Sequence, residues 1–195
     1  AYVVATNAAL TQFLFTHSSL IWVVFLAEIG LVIGLSAAIR KISLPTATLM
    51  FVVYAALNGI TFSSLFFVYT MGSLASTFFI TAGTFGAMSL VGFFTKADLS
   101  SMGKILLMAL VGLIIASVVN IFVGSSGLEL LMTYVGVLIF VGLTAYDTQK
   151  IKQMFLSAPD ASESTQKYAV LGALTLYLDF INLFLYLLRI FGRRD

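Results

Sequence analysis

Long stretches of this chain carry no charged side chain. None occurs from Ile42 to Thr95, and none from Ile105 to Leu128. A helix crosses a bilayer with about 20 apolar residues, or roughly 30 Å at about 1.5 Å per residue. The first run therefore holds two crossings around a short polar turn near Thr70-Met71-Gly72-Ser73, and the second holds one more. Extended along the chain, the pattern predicts spans at about 19–39, 46–69, 74–94, 104–123, 129–149 and 170–191. Lipid forces each to be a helix, because hydrocarbon offers no partner to an unpaired backbone N–H or C=O. A β-barrel does not fit, since the apolar runs are continuous and lack the alternation of barrel strands.

The intervening segments are short. Residues 1–16 are mixed and too polar to cross alone; they read as the tail of a helix followed by an external loop. That start lacks the basic residues of a signal peptide. The one long polar stretch is 150–168, whose Ser157 to Thr165 portion has turn composition. No second domain and no internal repeat is visible, so residues 1–195 read as a single transmembrane domain. Lys and Arg in short loops set orientation. Arg40, Lys41, Lys96, Lys104, Lys150, Lys152 and Lys167 all fall in loops on one side, which is expected to be cytoplasmic. Arg189, Arg193 and Arg194 fall on the other, against the rule.

Composition narrows the class. Of 195 residues, 61% are hydrophobic and 9% charged, whereas a soluble domain carries about 25% charged residues. A soluble enzyme, a disordered chain and a basic nucleic-acid binder are thereby excluded, so nucleic acid is not an expected partner. Ten basic residues nearly balance eight acidic ones. There is no cysteine, hence no disulfide or thiolate site, and the single histidine, His17, reads as a solvated loop residue.

Against this background three acids stand out. A carboxylate at bilayer depth costs at least ~2.5 kcal/mol, and such residues mark pathways or relays. Asp179 is the deepest, about ten residues into the last span; its bland reading is a neutral carboxyl bonded to Asn182. Asp147 lies at the end of the fifth span, where Lys150 at i+3 is spaced for an ordinary surface ion pair. Glu28 is mid-span, either lining the same cavity or simply buried. Asp147 and Asp179 belong to consecutive helices and can be neighbours. Two carboxylates within hydrogen-bond distance cannot both ionise cheaply and tend to share a proton. Such a pair acts as a latch: protonated it holds, deprotonated it repels. Its oxygens also suit calcium. Glu129, at a span start, suits the helix dipole. Trp22 and most other aromatics read as lipid-facing or interfacial anchors. The Gly30/Gly34 spacing and the Ala82, Gly83, Gly86, Ala87 group read as small faces that let helices approach.

Two segments, Val141-Gly-Leu-Thr-Ala-Tyr-Asp-Thr-Gln-Lys-Ile-Lys152 and Leu171 through Phe191, resemble the transmembrane Bax inhibitor motif family in its bacterial branch. Weaker matches run through Tyr54 to Ser64 and Phe85 to Leu90, and the resemblance covers essentially the whole chain. It implies an all-α polytopic bundle of seven helices with the last one central. Here that means six full transmembrane helices plus a remnant of the first. It also implies that Asp147 and Asp179 form a pH sensor on the ion pathway, with transient calcium contact, and that the activity is a passive, pH-sensitive calcium leak. Arg40 or Lys41 is the counterpart of a basic residue that engages the pair in some members, and Glu28 is a further supporting candidate. The expected partners are the bilayer, calcium ions and protons. No cofactor is expected, since calcium is cargo, and the expected location is a bacterial inner membrane.

Other function classes compete. Some bacterial relatives have been linked to regulation, so the chain also reads as a modulator that binds another membrane protein, such as a quality-control protease. An intramembrane aspartyl protease also pairs two Asp, one after a Tyr as in Tyr146-Asp147. Its Gly-x-Gly and Pro-Ala-Leu signatures are missing, because Tyr177-Leu178 precede Asp179 and the prolines are Pro45 and Pro159. Gly124-Ser-Ser-Gly127 superficially resembles a rhomboid motif, but no later histidine exists to activate a serine, so it reads as a turn. A proton-coupled transporter would show repeat halves or paired broken helices. The residues therefore point away from an enzyme.

Overall fold

The structure, a computed structural model, describes residues 1–7, 18–158, 160 and 162–193. In chain order the helices are α1 (Tyr2–Thr6), α2 (Ser18–Ala38), α3 (Leu44–Thr61), α4 (Leu65–Val68), α5 (Met71–Phe94), α6 (Ser100–Val123), α7 (Ser126–Leu156) and α8 (Glu163–Phe191). The predicted loop before residue 17, with His17, and likewise Pro159 and Arg194, lie outside the described residues. Leu44–Val68, Met71–Phe94, Ser100–Val123, Ser126–Leu156 and Glu163–Phe191 are long and apolar enough to cross a membrane, and α2 adds the apolar stretch Trp22–Ala38. Each predicted span falls on a helical segment, the second on α3 and α4 together.

The burial pattern is that of a membrane protein. Phe79, Phe94, Ile121 and Phe122 are exposed, Phe122 to 85%. Thr77, Thr81 and Thr144 are completely buried, and Glu28, Asn58, Asp147 and Asp179 are largely so. Water would drive the opposite arrangement. In lipid, apolar side chains gain nothing by turning inward, while polar ones need partners that only the protein supplies.

Two expected boundaries move. α7 runs on to Leu156 and α8 starts at Glu163, so the connection between them is much shorter than residues 150–168. No Gly or Pro interrupts Leu143 to Ala158, and its Lys, Gln and Met residues favour helix. Glu163 in the first turn of α8 suits the dipole there. The second span is also broken where the sequence showed no break. A 3-10 turn, Phe62–Ser64, separates α3 from α4. There Ser63 Oγ donates to Ile60 O at 2.6 Å and Ser64 Oγ to Thr61 O at 2.8 Å. Hydroxyls that bond the preceding turn bend a helix.

The chain forms two compact units. The first comprises residues 1–71, 159–174 and 193–195. Its α2 and α3 pair, with Thr61 Oγ1 donating to Glu28 Oε1 at 2.6 Å. Ser43 caps α3 by accepting from Thr46 N, with a proline in the first turn. Glu163 accepts from Leu44 N at 3.1 Å and pairs with Lys167 at 3.0 Å. Arg40 Nε donates to Tyr168 Oη at 3.0 Å.

The second unit comprises residues 72–158 and 175–192. Its core gathers Leu113 of α6, Met132, Ile139, Phe140 and Leu143 of α7, and Leu183 and Leu187 of α8. Phe180 of α8 meets Phe78 and Phe85 of α5 edge-on at 5.7 and 5.4 Å, and Tyr186 stacks on Phe140 at 5.8 Å. Within this unit the last helix thus has α5, α6 and α7 around it. Gly124, at φ 65°, ends α6, and Ser125 caps α7 by accepting from Leu128 N, so the Gly124 to Gly127 segment is a turn.

The expected small faces are only partly used. A Cβ on Gly34 would stand 3.4 Å from Met50 Cε, but at Gly30, Gly83 and Gly86 it would meet open space. The close approaches in the second unit fall at other glycines. A Cβ on Gly92 would collide with the Ala145 backbone, one on Gly103 with the Tyr146 ring, one on Gly136 with the Tyr186 ring and one on Gly142 with Leu106. All four contacts involve α7.

Candidate functional site

Asp147 is held by the way α7 is anchored. Two residues earlier, Ala145 packs against Gly92 of α5, and one residue earlier Tyr146 lies on Gly103 of α6. Two residues later, buried Gln149 clamps the α5–α6 connection. Its Nε2 donates to Ala97 O at 2.8 Å, and its Oε1 accepts from Leu99 N at 2.9 Å. Lys152 Nζ donates to Phe93 O and sits over the Phe93 ring at 4.9 Å, closing the end of α5. Every residue that fixes the rotation of α7 here is tied to α5 or α6. The remaining face, carrying Phe140, Leu143 and Asp147 at helical spacing, is left for α8.

On α8, Thr175, Asp179, Asn182 and Tyr186 recur at intervals of four, three and four residues, which places them on one face. The Asp179 carboxyl lies within side-chain hydrogen-bonding range of the Asp147 carboxyl. Asp147 is 8% exposed and Asp179 4%. Asp179 Oδ2 accepts no hydrogen bond from a neighbouring residue. Both carboxyl groups line a cavity of about 340 Å³, together with Thr175, Asn182 and Tyr186 of α8 and apolar residues of α6 and α7.

Of the residues singled out in the sequence, the structure brings Asp147 and Asp179 together. Asp147 is buried and not at the surface, and Lys150, whose ammonium lies over the Tyr146 ring at 5.7 Å, acts on it by charge. Asn182 shares the cavity, but its Nδ2 donates to Leu178 O at 2.8 Å. Glu28, Arg40 and Lys41 belong to the first unit, where Glu28 is paired with Thr61 and Arg40 with Tyr168. Among the described residues no three His, Asp or Glu side chains gather as a metal cage. The carboxyl pair alone supplies fewer than the six to eight oxygens of a resident calcium site.

Gln149 was missed, though a signal existed: an uncharged polar residue two positions after an intramembrane acid must find partners. Its removal tests the clamp. Gln149→Ala leaves the Ala97 carbonyl and Leu99 N–H unpaired, and is expected to destabilise the chain by about 1–3 kcal/mol. A thermal-unfolding midpoint within error of the unaltered protein would refute the clamp.

Fold and site together define a multi-pass helical membrane protein with a buried carboxyl pair on its last two helices. Comparison with known proteins narrows this further. The family model described as "Inhibitor of apoptosis-promoting Bax1" matches residues 1–195, and the chain belongs to that family. It is 54% identical over 196 residues to the Inner membrane protein YbhL of Escherichia coli (strain K12), covering 100% of this chain and 83% of that protein. A protein of Borreliella burgdorferi is 50% identical over 194 residues, with 100% of this chain and 84% of the relative covered. One of Deinococcus radiodurans is 46% identical over 195 residues, with 100% and 83% covered. The family resemblance seen in the sequence is therefore correct, as is the expectation of a multi-pass inner-membrane protein.

Proposed function

We propose that this chain is a pH-gated calcium leak, with Asp147 and Asp179 as both latch and ion contact. The observation that carries the reading is the meeting of two buried carboxyl groups from consecutive helices beside a cavity. When the pair shares a proton, a hydrogen bond ties α7 to α8 and the path is closed. When that proton leaves, two like charges face each other in a medium that screens them poorly. α7 is pinned to α5 and α6 by Gln149, Lys152 and the Gly92 contact. The motion therefore falls to α8. The freed oxygens then attract calcium, which moves down its gradient.

Reconstitution tests it. Proteoliposomes with calcium on one side are expected to leak, and the leak is expected to rise between about pH 6 and pH 8 as the pair loses its proton. Flux no greater than that of protein-free vesicles at every pH would sink the proposal.

A further inference from the structure

The cavity beside the pair has a shape and chemistry that the leak does not use. Its volume, about 340 Å³, falls among small-molecule sites of roughly 300–1,000 Å³. One wall is hydrocarbon, with Leu107, Leu110 and Ile114 of α6 and Leu143 of α7. Leu107 is 46% exposed and Ile114 55%, so this wall continues onto the lipid-facing surface of α6. The α8 part of the lining presents Asp179, whose Oδ2 is buried and accepts no hydrogen bond. A carboxyl pair sharing one proton carries a single negative charge. A calcium ion would want six to eight oxygens, and most of this lining is carbon. The matching ligand has one positive charge, several N–H donors and an apolar body.

We propose that the cavity is a binding site for an amphiphilic primary amine entering sideways from the lipid phase, its ammonium on Asp179 and its chain along Leu107, Leu110 and Leu143. The ammonium brings three donors and no acceptor, which suits an unsatisfied carboxylate oxygen. The nearby cations do not line the cavity: Arg189 lies over Tyr186 at 5.4 Å, and Lys150, over Tyr146 at 5.7 Å, reaches Asp147 by charge only. Such a ligand would bridge α6, α7 and α8 and hold the pair in one arrangement.

The test uses the full chain in phosphatidylcholine nanodiscs, titrated calorimetrically at one pH with n-octylamine and with n-octanol, and corrected against empty nanodiscs. Octylamine is expected to bind saturably and octanol, which has the same chain length and no charge, to bind at least about tenfold more weakly. Asp179→Asn removes the charge and Leu107→Trp fills the wall from a lipid-facing position that tolerates a large side chain. Each is expected to weaken the amine about tenfold or more, whereas Asp98→Asn, in the exposed α5–α6 connection, leaves it unchanged. Equal binding of amine and alcohol, or wild-type amine binding in both cavity variants, would overturn the site and leave only partition into lipid. Binding is read without an ion gradient, so its failure would not bear on the leak, nor the leak's failure on it.

Discussion

Calcium flux through Asp179→Asn is expected to be flat between about pH 6 and pH 8, where the unaltered chain shows a rise. The sign follows from the two protonation states. At the acid end the pair holds a proton, α7 and α8 are tied, and flux is low. As pH rises the proton is lost, repulsion replaces the hydrogen bond, and flux increases. Asparagine has the shape of aspartic acid and keeps an N–H donor toward Asp147, but it does not ionise in this range. The link between helices then persists at every pH. Asp147→Asn is expected to do the same from the other side, and the double variant to be no flatter than either single one, because the two residues act as one unit. Asp179→Ala separates slope from level. It removes the hydrogen bond as well as the charge, so its pH response is also lost, but its flux stays above that of Asp179→Asn at low pH. Asp98→Asn serves as a control. Asp98 is an exposed carboxylate that the Ser100 side chain and backbone hold below the ordinary range, and it lies outside the cavity. A pH slope in Asp179→Asn and Asp147→Asn equal to that of the unaltered chain would refute the latch.

The spans were legible because lipid imposes a simple rule: charges must stay out, so their absence marks each crossing. The same rule exposed the acids, and their place on consecutive helices, together with the family resemblance of their two segments, pointed to the pairing. Less legible was what holds the pair in place. Glycines in apolar helices look alike in sequence, yet Gly92 and Gly103 meet α7 while Gly83 and Gly86 face open space. Only the rotation of each helix about its axis decides this, and in a helix apolar on all sides nothing in the pattern marks that rotation. Helix ends beyond the bilayer were also misjudged, because Lys and Gln at the end of α7 read as loop by polarity and as helix by propensity.

Gly92→Ala is expected to be the most disruptive small substitution in the chain. The added methyl would stand 2.9 Å from Ala145 Cα and closer still to its carbonyl carbon and oxygen. All of these are backbone atoms of a helix, so no rotamer change can relieve the contact, and α5 and α7 must separate. Overpacking of this kind costs about 1–3 kcal/mol and occasionally more. For a chain of this size that corresponds to a fall in unfolding midpoint of roughly 2–12 °C, and this contact belongs at the upper end because both partners are main chain. Gly83→Ala makes the same chemical change on the same helix with nothing within 4 Å of the new atom. It is expected to be neutral or stabilising, since alanine favours helix over glycine by about 1 kcal/mol. The displacement at Gly92 also reaches the site. Ala145 is two residues from Asp147, and moving it shifts one carboxyl relative to the other. Gly92→Ala should therefore blunt the pH response in whatever fraction remains folded, while Gly83→Ala keeps it. Equal unfolding temperatures for the two variants would show that α5 and α7 are not in backbone contact here, and would remove the anchor on which the proposed motion of α8 depends.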